Sequence, residues 1–414
     1  MIERKAMDIE WSRDECAFRD EVREFFAANL TDELRAAGRL MTSVYSDHEA
    51  SLEWQRILVG KGWAAPAWPV AYGGCNWTVA QHYLFACEYA RSGAPLLSPM
   101  GIKMCAPALI AFGTSQQKSH YLPRMLSGEH FWCQGYSEPA SGSDLASLQM
   151  TARDDGDSFV CNGTKIWTTH AQVANWIFCL VRTSKEQRSQ QGITFLLIDL
   201  TSPGVGIRPI VSLTGEAIQN QIFFTNVRVP KANVVGQVGA GWTVAKHVLE
   251  FERGGSAYAP RLQSELEDLR AFASAVPGDA TASLLDDPLF KAKIAAASIR
   301  VEALEVYELR VMSKLGKGEP PGPAASVMKI LGTELQQHIS ELALEAAAHY
   351  GRAYQPQAAR PGGPVSLPHS NDVAVGPRAA VLAPLRYLNE RAGSIYAGSN
   401  EIQRNIIAKA ALGL

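Results

Sequence analysis

At 414 residues, with 47% apolar and 19% charged side chains, the chain is long enough for two or three domains with cores of their own. A formal charge of −2 gives no electrostatic footing for nucleic acid or for an anionic membrane surface. The longest apolar runs, at 176–181 and 193–198, are far too short to cross a bilayer, and MIERKAMDIEWSRDE holds no apolar stretch of the signal-peptide kind.

Up to about residue 129 the pattern predicts helices with short connections. Asp14 to Ala28 sets Cys16, Phe18, Val22, Phe25 and Phe26 at helical spacing, and further helices are expected over 48–61, 79–90, 104–112 and 115–126. The segment GWAAPAWPVAYGGCNWT (62–78), rich in Gly, Pro and Trp, reads as a tightly turned loop. The texture changes at Glu129. From there to Val238, short β-branched and aromatic runs such as WIFCLVRT, ITFLLIDL and NQIFFTNVRVP alternate with turns at Asp154–Gly156 and Asn162–Gly163, as antiparallel strands do. Helical periodicity returns over 242–251, 263–276, 288–315 and 324–350. Residues 352–381, rich in Pro, Gly and Ala, lack periodicity and predict a long loop that is functional or covered by a partner.

The expected fold class is therefore α+β multidomain: an N-terminal α-helical domain (1–129), a central antiparallel β domain (130–239) and a C-terminal α-helical bundle (240–414). No strand–helix alternation and no GxGxxG turn offers a seat for a nicotinamide cofactor. Seven cysteines, scattered without CxxC pairs, predict buried free thiols in a reducing cytoplasm and neither disulfides nor a metal site.

The densest small polar cluster is QGYSEPASGSDLAS (134–147). Its glycines permit close backbone approach to a flat or phosphorylated ligand, and Ser137 and Ser143 offer adjustable hydrogen bonds. About 25 residues later GTKIWTTHA places Trp167 and Thr169 at a predicted strand end, exposed, among threonines that suit a polar ring edge. Near the C-terminus stands SIYAGSNEIQR.

Together with GWAAPAWPVAYGG and GTSQQKSHYLPRMLSGEH, these stretches resemble the acyl-CoA dehydrogenase family, in the correct order and over essentially the whole chain. The resemblance implies FAD as cofactor and an acyl-CoA thioester as substrate. In that family the α-proton leaves to a carboxylate while the β-hydrogen leaves as hydride to flavin N5. By the same resemblance Gln134, Tyr136, Ser137, Gly142, Ser143, Trp167 and Thr169 line the flavin and ribityl portion of FAD. Ser399 and Glu401 approach its adenine or phosphate end. Ser143, Glu250, Arg253 and Gly398 fall on the substrate side.

Many members carry their base between the tyrosine and glycine of the last motif, where this chain has Ala397. A subset carries it instead on the first helix of the C-terminal domain, in an L-x-x-E-R pattern. LEFERGG matches that pattern from Leu249 and makes Glu252 the implied base. Ala397 keeps its backbone N–H, which in the family polarises the thioester carbonyl. Gly254 and Gly255 follow where a helix is expected to continue, at a cost of roughly 2 kcal/mol; the pair reads either as a helix kink or close helix packing, or as room made for a bulky acyl group.

Two motifs by which family homotetramers complete FAD across subunits are absent. The nearest approach to R-x-x-F-G is Arg270-Ala-Phe-Ala, and at the Q-x-x-G-G-x-G position the chain reads EAAAHYG, with Glu345, Ala348 and His349. The resemblance thus implies the base-carrying member of a heteromer with a related second chain, passing electrons to an electron-transfer flavoprotein. An oxygen-using acyl-CoA oxidase or flavin monooxygenase of the same fold and a non-catalytic subunit stay open as alternatives.

Overall fold

The computed structural model describes residues 11–42, 47–254, 257–315, 317, 319, 322–360, 362 and 373–414, with side chains of 250–254 outside that description. The N-terminal layer comprises α1 (Arg13–Asn29), α2 (Asp32–Arg39), α3 (His48–Lys61), α4 (Val79–Ser92), α5 (Ala106–Phe112) and α6 (Ser115–Ser127). Their starts are written locally: Ser12, Thr31, Asp47, Thr78 and Thr114 each cap a helix with a side-chain oxygen. Phe18, Val22 and Phe26 of α1 pack with Trp54, Leu58 and Trp63 into one core. The expected start of α5 at residue 104 moves, because Met100–Cys105 winds as a π-helical turn first. The 62–78 loop is pinned over that turn by Trp68, whose Nε1 donates to Ile102 O at 2.8 Å.

The sheet consists of β1 (Trp132–Gly135), β2 (Thr151–Asp155), β3 (Ser158–Thr169), β4 (Trp176–Arg182), β5 (Ile193–Asp199), β6 (Val205–Ile210) and β7 (Gln219–Pro230), ordered β1-β4-β2-β3-β7-β6 with β5 on β4. The pairings β2–β3, β3–β7, β4–β5 and β6–β7 are antiparallel, as expected. However, β1 runs parallel to β4, and β2 meets β4 through a parallel bridge. The sheet is therefore mixed rather than purely antiparallel. Alternating side-chain patterns carry no strand direction, and the long connection through β2 and β3 lets β4 return parallel to β1.

The C-terminal layer holds α7 (Gly241–Gly254), α8 (Ala259–Ala275), α9 (Pro288–Leu315), α10 (Ala324–Ala347), α11 (Arg378–Glu390) and α12 (Asn400–Ile407). α10 packs on α7, α8, α9, α11 and α12, so it is the central post of the bundle. α7 ends at Gly254, so that glycine closes the helix instead of weakening its interior; Gly255 lies outside the described residues. α10 stops three residues short of the expected end because Ala348 turns to φ +48°. That is a conformation glycine holds without strain and alanine does not, at the position where the family motif has glycine. α11 begins inside the predicted loop; Pro384 within it obscures the helical pattern.

The described part of the 352–377 segment is tied to both other layers. Tyr354 donates to Thr214 O at 2.6 Å, Arg360 pairs with Asp47, and Gly362 O meets His170 Nε2 at 2.9 Å. Buried Glu216 gathers Thr42, Asn389 and the Gly362 N–H around one carboxylate. A separate apolar core joins the layers, with Met104, Leu109, Trp132, Phe178, Phe195, Val244 and Val248 in one cluster, so α5, β1, β4, β5 and α7 converge there.

Among the described residues the cysteines are all free, five of them buried and two half-buried. No group of ligating side chains there could hold a metal, and no helix is long and apolar enough to cross a membrane.

Candidate active site

The 134–147 loop is shaped by a buried ion pair that sequence reading does not single out. Lys165 of β3 is fully buried and Glu138 only 7% exposed, with Nζ 2.8 Å from Glu138 Oε1. Lys165 also donates to Tyr136 O at 3.1 Å. Glu138 accepts the backbone N–H of Gln149 at 2.6 Å and of Met150 at 2.9 Å. Between these fixed points the loop closes on itself: Glu138 and Ser141 exchange backbone hydrogen bonds at 3.0 Å, and Ile166 N donates to Ser137 O at 2.9 Å. The polar face of Gly142–Ser143 is left exposed, and a Cβ on Gly142 would meet no atom within 4 Å.

Trp167 stands on the same strand as Lys165, with φ +61°, at a bulge in the β3–β7 ladder. A lone lysine in GTKIWTTHA reads as a surface residue; its burial depends on a carboxylate 27 positions away. The bulge throws the indole outward, 60% exposed, as the sequence predicts. The exposure expected for Thr169 is not found: it is buried at the end of β3, because the bulge shifts the alternation by one place. Thr168, also buried, has an Oγ1 without a hydrogen-bond partner among the described residues. Asn220 Nδ2 holds the strand there by donating to Thr168 O at 3.1 Å. An exposed flat indole, an orphaned hydroxyl beside it and an open Gly/Ser loop fit a flat cofactor with a polar edge. Gln134 on β1 is half-buried, and Tyr136 is buried directly behind the loop.

The other stretch that carries predicted site residues is the turn at 394–399 in the C-terminal layer. Ala397 and Gly398 both have positive φ, +55° and +79°. Gln403 Nε2 donates to Ala397 O at 3.0 Å and Gly398 O at 3.3 Å, while Asn400 N donates to Ser394 O at 2.9 Å. These two polar residues are in turn held by α10: Ser326 Oγ donates to Gln403 Oε1 at 2.7 Å and Lys329 Nζ to Asn400 Oδ1 at 2.9 Å, all buried. With its carbonyl so anchored, the Ala397 N–H has no acceptor among the described residues. Ser399 caps α12 by accepting Ile402 N at 3.4 Å. Glu401 is exposed in the first turn of α12, and the backbone N–H and Ser399 hold its carboxyl below the usual range.

Glu250, Glu252 and Arg253 fall on the last turns of α7, and their side chains lie outside the described residues. The start of the next helix is fixed from a distance. Glu308 of α9, 1% exposed, accepts Tyr258 N at 2.7 Å and Ala259 N at 3.2 Å, capping α8 from another helix. Tyr258 packs on Gly332 of α10, where a Cβ would lie 2.3 Å from its ring. Burial raises the Glu308 pKa to about 7, against the pull of the two N–H groups. Because the folded value exceeds the ordinary 4.5, this group's contribution to stability is complete below pH 4.5 and is lost as pH rises through 7. Stability of Glu308→Gln against pH, measured by denaturant unfolding, is therefore expected to lack on the order of 3 kcal/mol of the wild-type decline between pH 4.5 and 7. Parallel curves for the two proteins would refute it.

At the position of the missing cross-subunit motif, Glu345 pairs with Lys293 at 2.6 Å on a half-exposed surface, and Arg270 bonds Ser298 Oγ at 2.5 Å. Among the described residues, neither pair is joined to the 134–147 loop by a hydrogen bond or ion pair.

Residues 12–129, 133–227 and 239–412 match, in turn, the N-terminal, middle and C-terminal domains of acyl-CoA dehydrogenases. The chain is 38% identical to acyl-CoA dehydrogenase IpdE1 of Mycobacterium tuberculosis, over 96% of this chain and 97% of that protein. It is 31% identical to acyl-CoA dehydrogenase FadE26 of the same organism, over 99% of each. Among solved structures it superposes on the Tcur3481-Tcur3483 steroid ACAD with a TM-score of 0.81 at 27% identity, covering 99% of both chains. The ChsE4-ChsE5 complex from Mycobacterium tuberculosis gives 0.80 at 29% identity, again over 99% of both. Matched along nearly its whole length in sequence and in fold, the chain belongs to the acyl-CoA dehydrogenase family.

Proposed function

We propose that the chain is the base-carrying subunit of an FAD-dependent acyl-CoA dehydrogenase that converts an acyl-CoA thioester to its trans-2-enoyl-CoA. Glu252 takes the α-proton, and the Ala397 N–H receives the thioester carbonyl as negative charge develops on its oxygen. The observation that carries this reading is the Ala397 turn: the family's usual carboxylate is gone, yet its backbone donor is held in place by α10 and has no other acceptor among the described residues. FAD, when bound, supplies the hydride acceptor. Gln134, Tyr136, Ser137, Gly142, Ser143, Trp167 and Thr169 hold its ring and ribityl portion, and Ser399 and Glu401 its far end. Ser143, Glu250, Arg253 and Gly398 face the thioester and acyl group. Electrons pass to an electron-transfer flavoprotein in the cytoplasm.

Two structural relatives carry paired names, one of them a steroid ACAD, which supports a bulky polycyclic acyl group and a related second subunit here. The loss of both cross-subunit motifs, with Glu345 spent on Lys293, supports the same partner. Co-expression with a related acyl-CoA dehydrogenase chain should yield a yellow heteromer on gel filtration whose flavin bleaches with an acyl-CoA. A homomer with full FAD occupancy overturns the partner; hydrogen peroxide as the stoichiometric product points to the oxidase instead.

A further inference from the structure

α9 carries two apolar faces. The inner one, with Phe290, Ile294, Ala297, Val301, Leu304 and Val311, is buried against α8 and α10. The outer one runs through Leu289, Ala292, Ala296, Ile299, Ala303 and Val306, all exposed. Its three large members stand well out of the fold, Leu289 at 77%, Ile299 at 66% and Val306 at 41% exposure. Alternating steps of three and four residues are the spacing by which one helix meets another along a seam. One apolar face is enough to join a helix to its own core, so the second is left over for a contact outside this chain. The seam ends at Arg310, and Lys293, Arg300 and Lys314 make one of its edges basic. Among the described residues Lys293 pairs with Glu345, whereas Arg300, Arg310 and Lys314 form no ion pair.

Charge and area decide what covers the seam. A second copy of this chain is disfavoured in both orientations. Antiparallel pairing sets the edge with Lys293, Arg300 and Lys314 against itself, and parallel pairing stacks Arg310 on its own counterpart. From Leu289 to Val306 the strip is about 26 Å long and one helix wide, a few hundred Å² against the roughly 800 Å² that each partner of a stable interface buries. A lone helix is too small an occupant, and a folded chain that reaches past the seam is required. The Lys293–Glu345 pair leads off the seam to the end of α10, where Tyr350 is 44% exposed. We propose that the outer face of α9 is the docking surface for the related second subunit, which brings a helix with an apolar seam and an edge of Asp or Glu. The inference rests on the two-subunit reading above and assigns that subunit its place on this chain.

The test co-expresses the full chain with a related acyl-CoA dehydrogenase chain and follows dissociation of the complex on dilution by mass photometry. Ile299→Asp with Val306→Asp should raise the dissociation midpoint about 100-fold or more, because two apolar anchors of the contact become charged. Both side chains are exposed in the chain alone, so its circular dichroism and unfolding midpoint should stay at the wild-type values. Arg300→Glu with Lys314→Glu should weaken the complex about 10-fold at low salt, with the difference closing as salt is raised. A complex of wild-type stability in the Ile299→Asp, Val306→Asp protein overturns the proposal and leaves the two-subunit reading intact. Wild type that forms no complex with the partner chain overturns both. A wild-type homodimer dispersed by the same two substitutions puts a second copy on the seam and overturns the occupant named here.

Discussion

Glu252→Gln is expected to bind FAD and acyl-CoA as wild type does and to lose substrate-dependent flavin bleaching by roughly 10²–10⁴-fold, the span a positioned general base contributes. The substitution keeps the size of the side chain and removes only its basicity. Stopped-flow absorbance under anaerobic conditions reads the bleaching step without any electron acceptor. The Ala397 turn supplies an internal control. Its carbonyls are fastened by Gln403 and its helix by Asn400, both gripped from α10, so a carboxylate introduced at 397 would sit on a turn that does not depend on it. Ala397→Glu in the Glu252→Gln background should recover part of the lost rate if the turn faces the substrate Cα as in the members that carry their base there. Bleaching at the wild-type rate in Glu252→Gln alone would mean the base is another group, or that a partner chain does the chemistry.

The second large effect belongs to a buried residue given no contact with substrate or cofactor. Lys165→Met leaves Glu138 buried beside two backbone N–H groups but without its cation, and losing one member of a buried pair costs about 3–5 kcal/mol. The same residue closes the 138–141 turn and reaches β2 through Gln149 and Met150, so FAD affinity should fall together with stability. Glu138→Gln with Lys165→Met restores neutrality while keeping an acceptor for one of the two N–H groups, and it should recover part of the lost stability. Denaturant unfolding and the flavin absorption band after desalting measure the two effects side by side. A single Lys165→Met protein as stable and as yellow as wild type would show that the pair does not shape the loop.

Much of this molecule is readable from local chemistry. Caps at Ser12, Asp47, Thr78 and Thr114, apolar stripes at helical spacing and the turn at Asp154–Gly156 place most helices and strands to within a few residues, since each signal is complete within one turn of chain. The order of helical, β and helical layers, the family and the candidate site residues follow from motifs and periodic runs that each lie within one short stretch of sequence. Where a local cue is ambiguous, expectation and structure part: Pro384 hides α11, and the bulge at Trp167 buries Thr169.

Features that depend on groups from distant positions emerge with tertiary packing alone. The Lys165–Glu138 pair spans 27 residues, the Ser326–Gln403 contact 77, and the cap of α8 by Glu308 comes from a neighbouring helix. Strand direction in β1 and β4 is of the same kind. Burial, desolvation and hydrogen-bond satisfaction are properties of an environment built by several elements at once. A sequence specifies that environment without displaying it, because no single stretch contains both members of any of these pairs.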